Sequence, residues 1–347
     1  MKRISHGVPA FVQRRGIVSS LPPIHLIQTK KRITDQVSLE KPYNGVRLKA
    51  VVLFRLAKNY LKFFKEGMGS VWTNYKDLRS EVYSRNLFLV VNGLAANDLG
   101  TGDAKDQKLY VRNSTLPQVV DELATAVSCL ENSGSLDLSR EQIKISRAQF
   151  QTMLRTRGDL LRLPLFGLLF ALLEEFSLPL YYIFPSLMPF TCVFPAFMKS
   201  YYGKSIKAQR KLKELRKERT FDEIAVQNPF TMTEEELRSV CDLIKVGTPF
   251  SSIDRRRAQL LEKYKELVVD THLLLRDGGV DKLDRLEVFF TCLDRGLVDW
   301  EQVLSLLEDC EKTLYELLDE ASLRERLRVH LERFGKHGYN VGVVGLF

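Results

Sequence analysis

Residues 158–198, GDLLRLPLFGLLFALLEEFSLPLYYIFPSLMPFTCVFPAFM, decide the fold. Residues 163–173 and 176–198 carry no charge, and only Glu174 and Glu175 interrupt them. One straight helix over residues 160–198 would be about 58 Å long, nearly twice the roughly 30 Å hydrocarbon core of a bilayer. The sequence therefore predicts more than one simple span.

Prolines divide this apolar stretch. Proline fixes φ and lacks a backbone donor, so it kinks or ends a helix. The pattern predicts one membrane-spanning helix near residues 162–185, followed by a Pro-broken interfacial or re-entrant flank to residue 198. A buried core hairpin of a soluble protein is the alternative. The prolines expected to shape the segment are Pro164, Pro179, Pro185 and Pro189.

The two adjacent carboxylates, Glu174 and Glu175, are unusual in such a segment. A carboxylate at membrane depth is costly, so it usually faces a cavity, pairs with a cation or takes up a proton. Both residues are therefore candidates for a proton or cation relay. Alternatively, they mark the membrane boundary, with the span shifted to residues 176–198.

A basic block follows at residues 199–219, where Glu214 and Glu218 are the acidic residues. Positive charge beside a span favours retention on the matrix side. It can also hold anionic lipid headgroups or ribosomal RNA, or simply form a solvated helix face. The ribosome- or lipid-binding candidates are Lys204, Lys207, Arg210, Lys211, Lys213, Arg216, Lys217 and Arg219.

The N-terminus carries most of the chain's net charge of +9. Residues 1–34 contain seven Lys or Arg and no acid, which leaves 45 basic and 43 acidic residues in the remainder. A basic, acid-free, partly amphipathic leader predicts a mitochondrial targeting presequence over residues 1–34, with a disordered basic tail as the alternative. The high isoelectric point therefore does not by itself indicate a nucleic-acid-binding protein.

The rest of the chain reads as helix, and no strand pattern of any length occurs. We expect an N-terminal helical region at 35–158 with a loop near 96–115, the membrane-embedded segment at 159–198, a basic juxtamembrane helix at 199–219, and a helical matrix domain at 220–347. Capping boxes are predicted at Ser139 and Thr233, each with a Gln or Glu three residues on. A long amphipathic helix is predicted to begin at Asp254, to run to Arg276 and to be ended by Asp277, Gly278 and Gly279. The fold class is all-α.

No enzymatic motif is present: the sequence lacks GxGxxG, a P-loop, HExxH and GxSxG. The five cysteines form no CxxC pair and the histidines do not cluster, so neither a metal site nor a cofactor is expected. DGGVDKLDRLEV at 277–288 fails as a calcium loop, because its sixth and twelfth positions are Lys282 and Val288. We therefore expect a protein that is not an enzyme.

Several motifs resemble the mitochondrial leucine-zipper/EF-hand transmembrane (LETM) family. Trp72 with Lys76 and the run LSREQIK at 138–144 resemble two of that family's helices. The apolar segment is similar to the family's span, and the basic helix after it is similar to the helix that follows the span in that family. The matching residues of the segment are Asp159, Arg162, Leu163, Pro164, Glu175, Pro179, Phe184, Pro185 and Pro189.

The resemblance implies a short, divergent, fungal-type LETM member that lacks the calcium loop. It implies an inner-membrane location, a matrix-facing C-terminal ribosome-binding-like domain, and a role in potassium/proton exchange that controls matrix cations and volume. The alternative is a membrane-tethered factor that binds the mitochondrial ribosome and assists protein insertion or translation. The implied partners are the inner membrane, the mitochondrial ribosome, and paralogues or further copies of the chain, and not DNA.

Overall fold

The structure is a computed structural model that describes residues 20–40, 43, 45–78, 116–133, 143, 145–173, 180–181, 183–248, 250–308, 319–334 and 339–346. Across these ranges the regular structure is helical, and no strand occurs in them. The prediction of an all-α fold is therefore confirmed for the part of the chain that the structure describes.

The α-helices are numbered in chain order and joined by short 3₁₀ turns. They are α1 Lys30–Glu40, α2 Val46–Leu78, α3 Leu116–Ser133, α4 Arg147–Leu173, α5 Pro195–Tyr201, α6 Gly203–Leu215, α7 Phe221–Ala225, α8 Glu234–Leu243, α9 Ile253–Arg276, α10 Arg285–Asp294, α11 Trp300–Glu308 and α12 Glu320–Phe334.

The helices belong to two compact units that interleave along the sequence. Unit 1 is Met1–Ser80 with Ala148–Phe194, and unit 2 is Glu81–Arg147 with Pro195–Phe347. The domains predicted from the sequence are continuous segments, whereas each unit combines two separate segments of the chain.

An aromatic core on α2 and α4 holds unit 1 together. Phe64 of α2 meets the ring of Phe166 on α4 edge-on at 5.7 Å, and Phe166 stacks on Tyr181 at 4.7 Å. Tyr181 also donates a 3.0 Å hydrogen bond to the carbonyl of Phe166. The start of the described chain packs here too, with Leu21 and Ile24 almost fully buried.

The predicted span differs from the observed helix. α4 begins at Arg147, twelve residues before the expected start of the membrane segment, and continues through Pro164 to Leu173. None of the helices in the described ranges has the length and apolar character needed to cross a bilayer. The expectation of a single membrane-spanning helix is therefore not met by the residues that the structure describes.

Asp159 on α4 fixes the chain that returns after the apolar stretch. Its carboxylate accepts hydrogen bonds from the backbone N–H groups of Phe190 and of Thr191, the latter at 3.0 Å. Burial raises the pKa of the Asp159 carboxyl, while these two backbone donors and Arg162 oppose the rise. A Cβ on Gly67 of α2 would lie 2.7 Å from the Thr191 carbonyl, so only glycine permits this close approach.

Unit 2 is a helical assembly around α6, α8 and α9. Its apolar core includes Leu212, Leu237, Val240 and Leu260, and the chain end adds Val341, Val343 and Val344. Buried side chains thus come from segments more than a hundred residues apart in sequence, which makes the core a product of tertiary packing.

Local capping signals set the helix ends of unit 2. Thr233 caps α8 by accepting a hydrogen bond from the Glu236 N–H, which is one half of the predicted capping box. The Glu236 carboxylate pairs instead with Arg216 and Arg219. Ser252 caps α9 in the same way, and the helix begins at Ile253, one residue before the predicted Asp254. α9 ends at Asp277, Gly278 and Gly279, as predicted, and both glycines have positive φ. The capping box predicted at Ser139 lies outside the described residues.

Candidate functional surfaces

The relay candidates Glu174 and Glu175, and with them Pro179, fall outside the described residues. Pro164 lies within α4, whereas Pro185 begins one short 3₁₀ turn and Pro189 caps the next. The prolines around residues 185–189 therefore lie where the chain leaves helical geometry.

One face of α4 is apolar and exposed. Leu161, Leu165, Leu168 and Leu172 expose 80%, 48%, 57% and 71% of their surface, and they recur at steps of four, three and four residues. That spacing places them on one side of an α-helix. We call these four residues the leucine face.

Positive charge flanks the leucine face at its N-terminal end. Arg157 and Arg162 are both exposed. Arg157 lies about one helical turn before Leu161, and Arg162 directly follows Leu161. From Leu163 to Leu173 the helix carries no charged residue. An exposed apolar stripe bordered by cations is the pattern of helices that lie at an anionic lipid interface.

The predicted basic block forms the second surface, on α6 and the turn that follows it. Lys204, Lys207 and Lys217 are exposed. Three others form ion pairs with neighbouring helices of unit 2: Arg210 with Glu301 at 3.0 Å, Lys211 with Glu235 at 2.5 Å, and Lys213 with Asp299 at 3.9 Å. These three side chains are also about half exposed, so the pairs are weak. We call Lys204, Lys207, Arg210, Lys211, Lys213 and Lys217 the basic face.

Arg216 and Arg219 have a different role from the one predicted. Arg216 is buried, and its Nε donates to Glu236 at 2.9 Å while its Nη1 donates to the Val344 carbonyl at 3.0 Å. Arg219 shares the same Glu236 oxygen at 2.7 Å. Burial lowers the pKa of Arg216, and Glu236 opposes that shift. Arg216 thus anchors the segment at Val344, and Arg219 is held on Glu236 with it, so we exclude both from the basic face.

The sequence reasoning missed a buried ion-pair cluster in unit 2. The Asp270 carboxylate lies 2.8 Å from Arg147 Nε and 2.7 Å from Arg295 Nη2. Arg147 also approaches Glu287 at 3.5 Å. The side chains of all four residues are at least nine-tenths buried. Arg147 also donates a hydrogen bond to Thr291, which is 144 residues away in the sequence. Contacts over such separations leave no local spacing pattern in the sequence.

His330 on α12 lies close to this cluster. It is 4% exposed, and its Nε2 finds no hydrogen-bond partner among the described residues. Burial, with the positive charges of Arg295 and Arg333, lowers the pKa of His330 to about 3. The imidazole is therefore neutral at physiological pH.

The fold and these surfaces define a helical protein with an exposed apolar helix face in one unit and a basic helix face in the other. A family model described as the pentamidine resistance factor domain matches residues 103–277, half of the chain. The protein therefore belongs to the pentamidine resistance factor family.

A curated relative supports this assignment. The chain is 26% identical over 178 residues to the "Pentamidine resistance factor, mitochondrial" of Saccharomyces cerevisiae. The alignment covers 51% of this chain and 38% of that relative, so the chain spans well under half of the relative's length. No solved structure matches the chain.

The resemblance to the LETM family is wrong, because both comparisons identify a different family. The motifs that suggested it are mostly prolines and apolar residues. Any helix-breaking apolar segment contains these residue types for the same physical reasons, so their spacing does not specify a family.

Proposed function

We propose that the protein is a non-enzymatic mitochondrial protein bound to the inner membrane through the leucine face of α4. The observation that carries this proposal is the exposure of four leucines on one charge-free helix face. Soluble proteins rarely leave a contiguous apolar patch in water without a function for it.

Two observations support the mitochondrial location. The leader is basic and acid-free, and the yeast relative is named as a mitochondrial protein. Leu21, Ile24 and Ile33 are buried within unit 1. Removing them would open the core, so we place the end of the cleaved presequence before Ser20 rather than at residue 34.

Burial of the leucine face in lipid supplies enough free energy for attachment. Each exposed leucine gains roughly 1–2 kcal/mol when its remaining surface leaves water. Arg157 and Arg162 add attraction to anionic headgroups, at about 1 kcal/mol for each cation near the surface. Together these contributions exceed the membrane-binding free energy of a single weak lipid anchor.

The test is flotation of the full chain with phosphatidylcholine vesicles that contain cardiolipin. We expect Leu165→Ser, Leu168→Ser and Leu172→Ser together to lower partitioning by roughly a hundredfold, since each loses about 1 kcal/mol or more. The control combines Leu39→Ser, Val46→Ser and Leu275→Ser, which are together more exposed than the three leucines and lie on other helices. Equal flotation of the leucine-face variant and the control would refute the proposal.

A second candidate function is contact with mitochondrial ribosomal RNA through the basic face of α6. Phosphate contacts by lysine and arginine release counterions, so such binding weakens steeply with salt. In co-sedimentation with mitochondrial ribosomes, Lys204→Glu, Lys207→Glu and Lys217→Glu together should abolish binding at low salt. The matched control, Lys49→Glu, Lys58→Glu and Lys62→Glu on α2, changes the charge equally and should bind normally.

Vesicle flotation of the same two variants separates RNA from lipid. If the Lys204, Lys207 and Lys217 variant keeps vesicle binding but loses ribosome binding, the result supports RNA as the partner. If it loses vesicle binding but keeps ribosome binding, RNA is excluded as the partner of the basic face. Potassium/proton exchange is not part of the proposal. It rested on the family resemblance that was wrong and on two glutamates outside the described residues.

The name of the yeast relative suggests a cellular assay. We expect this chain, expressed in yeast that lacks the relative, to restore growth on pentamidine. The leucine-face variant should fail to do so, while the Leu39, Val46 and Leu275 control succeeds. Full rescue by the leucine-face variant would separate the resistance phenotype from membrane attachment.

A further inference from the structure

A second row of exposed apolar side chains lies on α2. Leu53, Phe54 and Leu61 expose 67%, 70% and 51% of their surface, and Ala57 between them is partly exposed. Because an α-helix turns by about 100° per residue, these four residues lie within about 100° of one another around its axis. We call them the α2 row. A contiguous apolar patch of this kind indicates a contact surface, whereas a single exposed side chain would not.

Positive charge borders the α2 row along one edge. Three exposed lysines lie within about 80° of Phe54 around the helix: Lys58, Lys62 and Lys65. The acidic residues of α2, Glu66 and Asp77, lie about 120° or more from every residue of the row. The edge of the row is therefore cationic, and the acids face another side of the helix.

The rest of unit 1 also carries an excess of positive charge. The described residues of this unit include 13 Lys or Arg and 5 Asp or Glu. Apart from the two on α2, these acids are Asp159, which is buried, and Asp35 and Glu40 on α1. α1 packs on Val52, which lies about 100° or more from every residue of the α2 row. The row thus has a positive border that complements an anionic surface.

α4 packs antiparallel against the C-terminal half of α2. Phe64 of α2 meets the ring of Phe170 on α4 at 5.5 Å. One turn further along α2, Gly67 lies against the carbonyl of Thr191, whose N–H donates to Asp159 of α4 at 3.0 Å. Later residues of α4 therefore lie beside earlier residues of α2.

The α2 row lies on the side of α2 that α4 contacts, but towards the start of α2, where α4 has ended. Leu53 and Leu61 are about 20° and 60° from Phe64 around α2. α4 ends at Leu173, three residues after Phe170, and leaves the row exposed. The leucine face lies about 140–180° from Phe170 around α4, so it points away from α2. Both apolar surfaces therefore face outward on the α4 side of unit 1.

We propose that the α2 row is a second lipid contact of unit 1, and that Lys58, Lys62 and Lys65 make the attachment selective for anionic lipid. The inference rests on the proposed membrane attachment, because it extends the surface formed by the leucine face. A fluid bilayer accommodates a convex helix face, whereas a protein partner must supply a groove that matches it. Lysine stems can also extend along the helix to the headgroups while the apolar side chains enter the acyl boundary.

The test of selectivity compares flotation of the full chain with vesicles of phosphatidylcholine and cardiolipin and with vesicles of phosphatidylcholine alone. Lys58→Gln, Lys62→Gln and Lys65→Gln together should lower partitioning into the cardiolipin vesicles by roughly a hundredfold. Partitioning into phosphatidylcholine alone should not change. The matched control removes three exposed lysines on other elements and should float like the wild type: Lys30→Gln, Lys207→Gln and Lys282→Gln.

The test of the apolar contact uses Leu53→Ser, Phe54→Ser and Leu61→Ser together. This variant should lower partitioning into both kinds of vesicle by roughly a hundredfold, since each side chain loses its burial in lipid. The matched control changes three apolar residues on other elements, which expose 88%, 52% and 52% of their surface: Leu39→Ser, Val226→Ser and Leu275→Ser. The control should float like the wild type.

Two results would overturn the inference while the leucine-face variant still loses flotation. One is flotation of the Leu53, Phe54 and Leu61 variant that equals that of its control. The other is an equal effect of the Lys58, Lys62 and Lys65 variant on vesicles with and without cardiolipin. If the leucine-face variant itself floats like the wild type, the proposed membrane attachment fails, and the inference that rests on it fails with it.

Discussion

The two units place apolar and charged side chains in opposite ways. Unit 1 exposes four leucines along α4, whereas unit 2 buries Arg147, Arg295 and Asp270. The difference follows from the partners of these side chains. Each buried arginine lies within 2.8 Å of the Asp270 carboxylate, whereas the leucines lie on a helix face exposed to solvent. Side-chain position in this protein is thus decided by what each group contacts, and polarity alone does not predict it.

The largest effect should come from removing the shared carboxylate of unit 2. Asp270→Ala leaves Arg295 buried with no carboxylate among its described contacts, and Arg147 keeps only the longer one to Glu287. Breaking a buried pair leaves an uncompensated charge, so we expect a loss of about 4–5 kcal/mol in the free energy of unfolding. Urea unfolding followed by circular dichroism measures it.

Asp254→Ala is the matched control, because Asp254 forms an exposed pair with Arg257. Surface pairs of this kind contribute about 0–1 kcal/mol. If Asp270→Ala and Asp254→Ala proved equally stable, the buried cluster would not be a structural element of unit 2.

A smaller loss is expected from the core of unit 1. Phe166 is fully buried, and Phe166→Ala removes the ring that packs between Phe64 and Tyr181. The cavity should cost about 3–4 kcal/mol of unfolding free energy. Leu165→Ala, one residue earlier on the exposed side, should cost less than about 1 kcal/mol. Comparable losses for the two variants would mean that α4 is rotated about its axis.

Acid should destabilise unit 2 through His330. The pKa of His330 is lowered to about 3 in the folded protein, while the unfolded chain titrates near 6.5, so the unfolded state binds the extra proton first. The stability contribution is therefore full above pH 6.5 and is lost as the pH falls from there towards 3. Between about pH 7 and pH 5 we expect a loss of about 2 kcal/mol from this residue alone.

Urea unfolding at the two pH values, on the wild type and on His330→Gln, measures this contribution. The glutamine variant should lose the part of the pH dependence that His330 contributes. His272→Gln is the control, because His272 is only partly buried and its pKa is lowered less strongly. An unchanged pH dependence in His330→Gln would contradict the assignment.

The smallest effect on stability should come from the leucine face. Leu172→Ser changes a side chain that is 71% exposed, so the free energy of unfolding in water should change by less than about 0.5 kcal/mol. The same substitution should lower vesicle partitioning by a factor of roughly five to thirty. A clear loss of stability in water would instead indicate that α4 packs on protein at this position.

Local sequence signals predicted the local structure well. The Thr233 cap and the end of α9 at Asp277, Gly278 and Gly279 depend on residues within one turn of each other, and the structure has both. The helical character of the described chain follows from the same short-range periodicity.

Contacts between distant residues could not be predicted from spacing. Asp159 bonds to the backbone at Phe190 and Thr191, and Arg147 pairs with Asp270, 123 residues away. The same limit explains the basic block, since only the fold shows that Arg216 turns inward to Glu236 while Lys204 and Lys207 face outward. The apolar segment forms no spanning helix among the described residues, and its prolines do not carry family identity.

Pro164 has a consequence for how deeply α4 can enter lipid. Proline has no N–H, so the carbonyl of Leu160, four residues earlier, receives no helical hydrogen bond. In hydrocarbon such a group costs several kcal/mol, but at the headgroup level water satisfies it. In the proposed attachment this carbonyl would therefore set the depth of insertion, with Leu160 and Arg162 at the wet boundary and the leucines beyond Pro164 in the acyl chains.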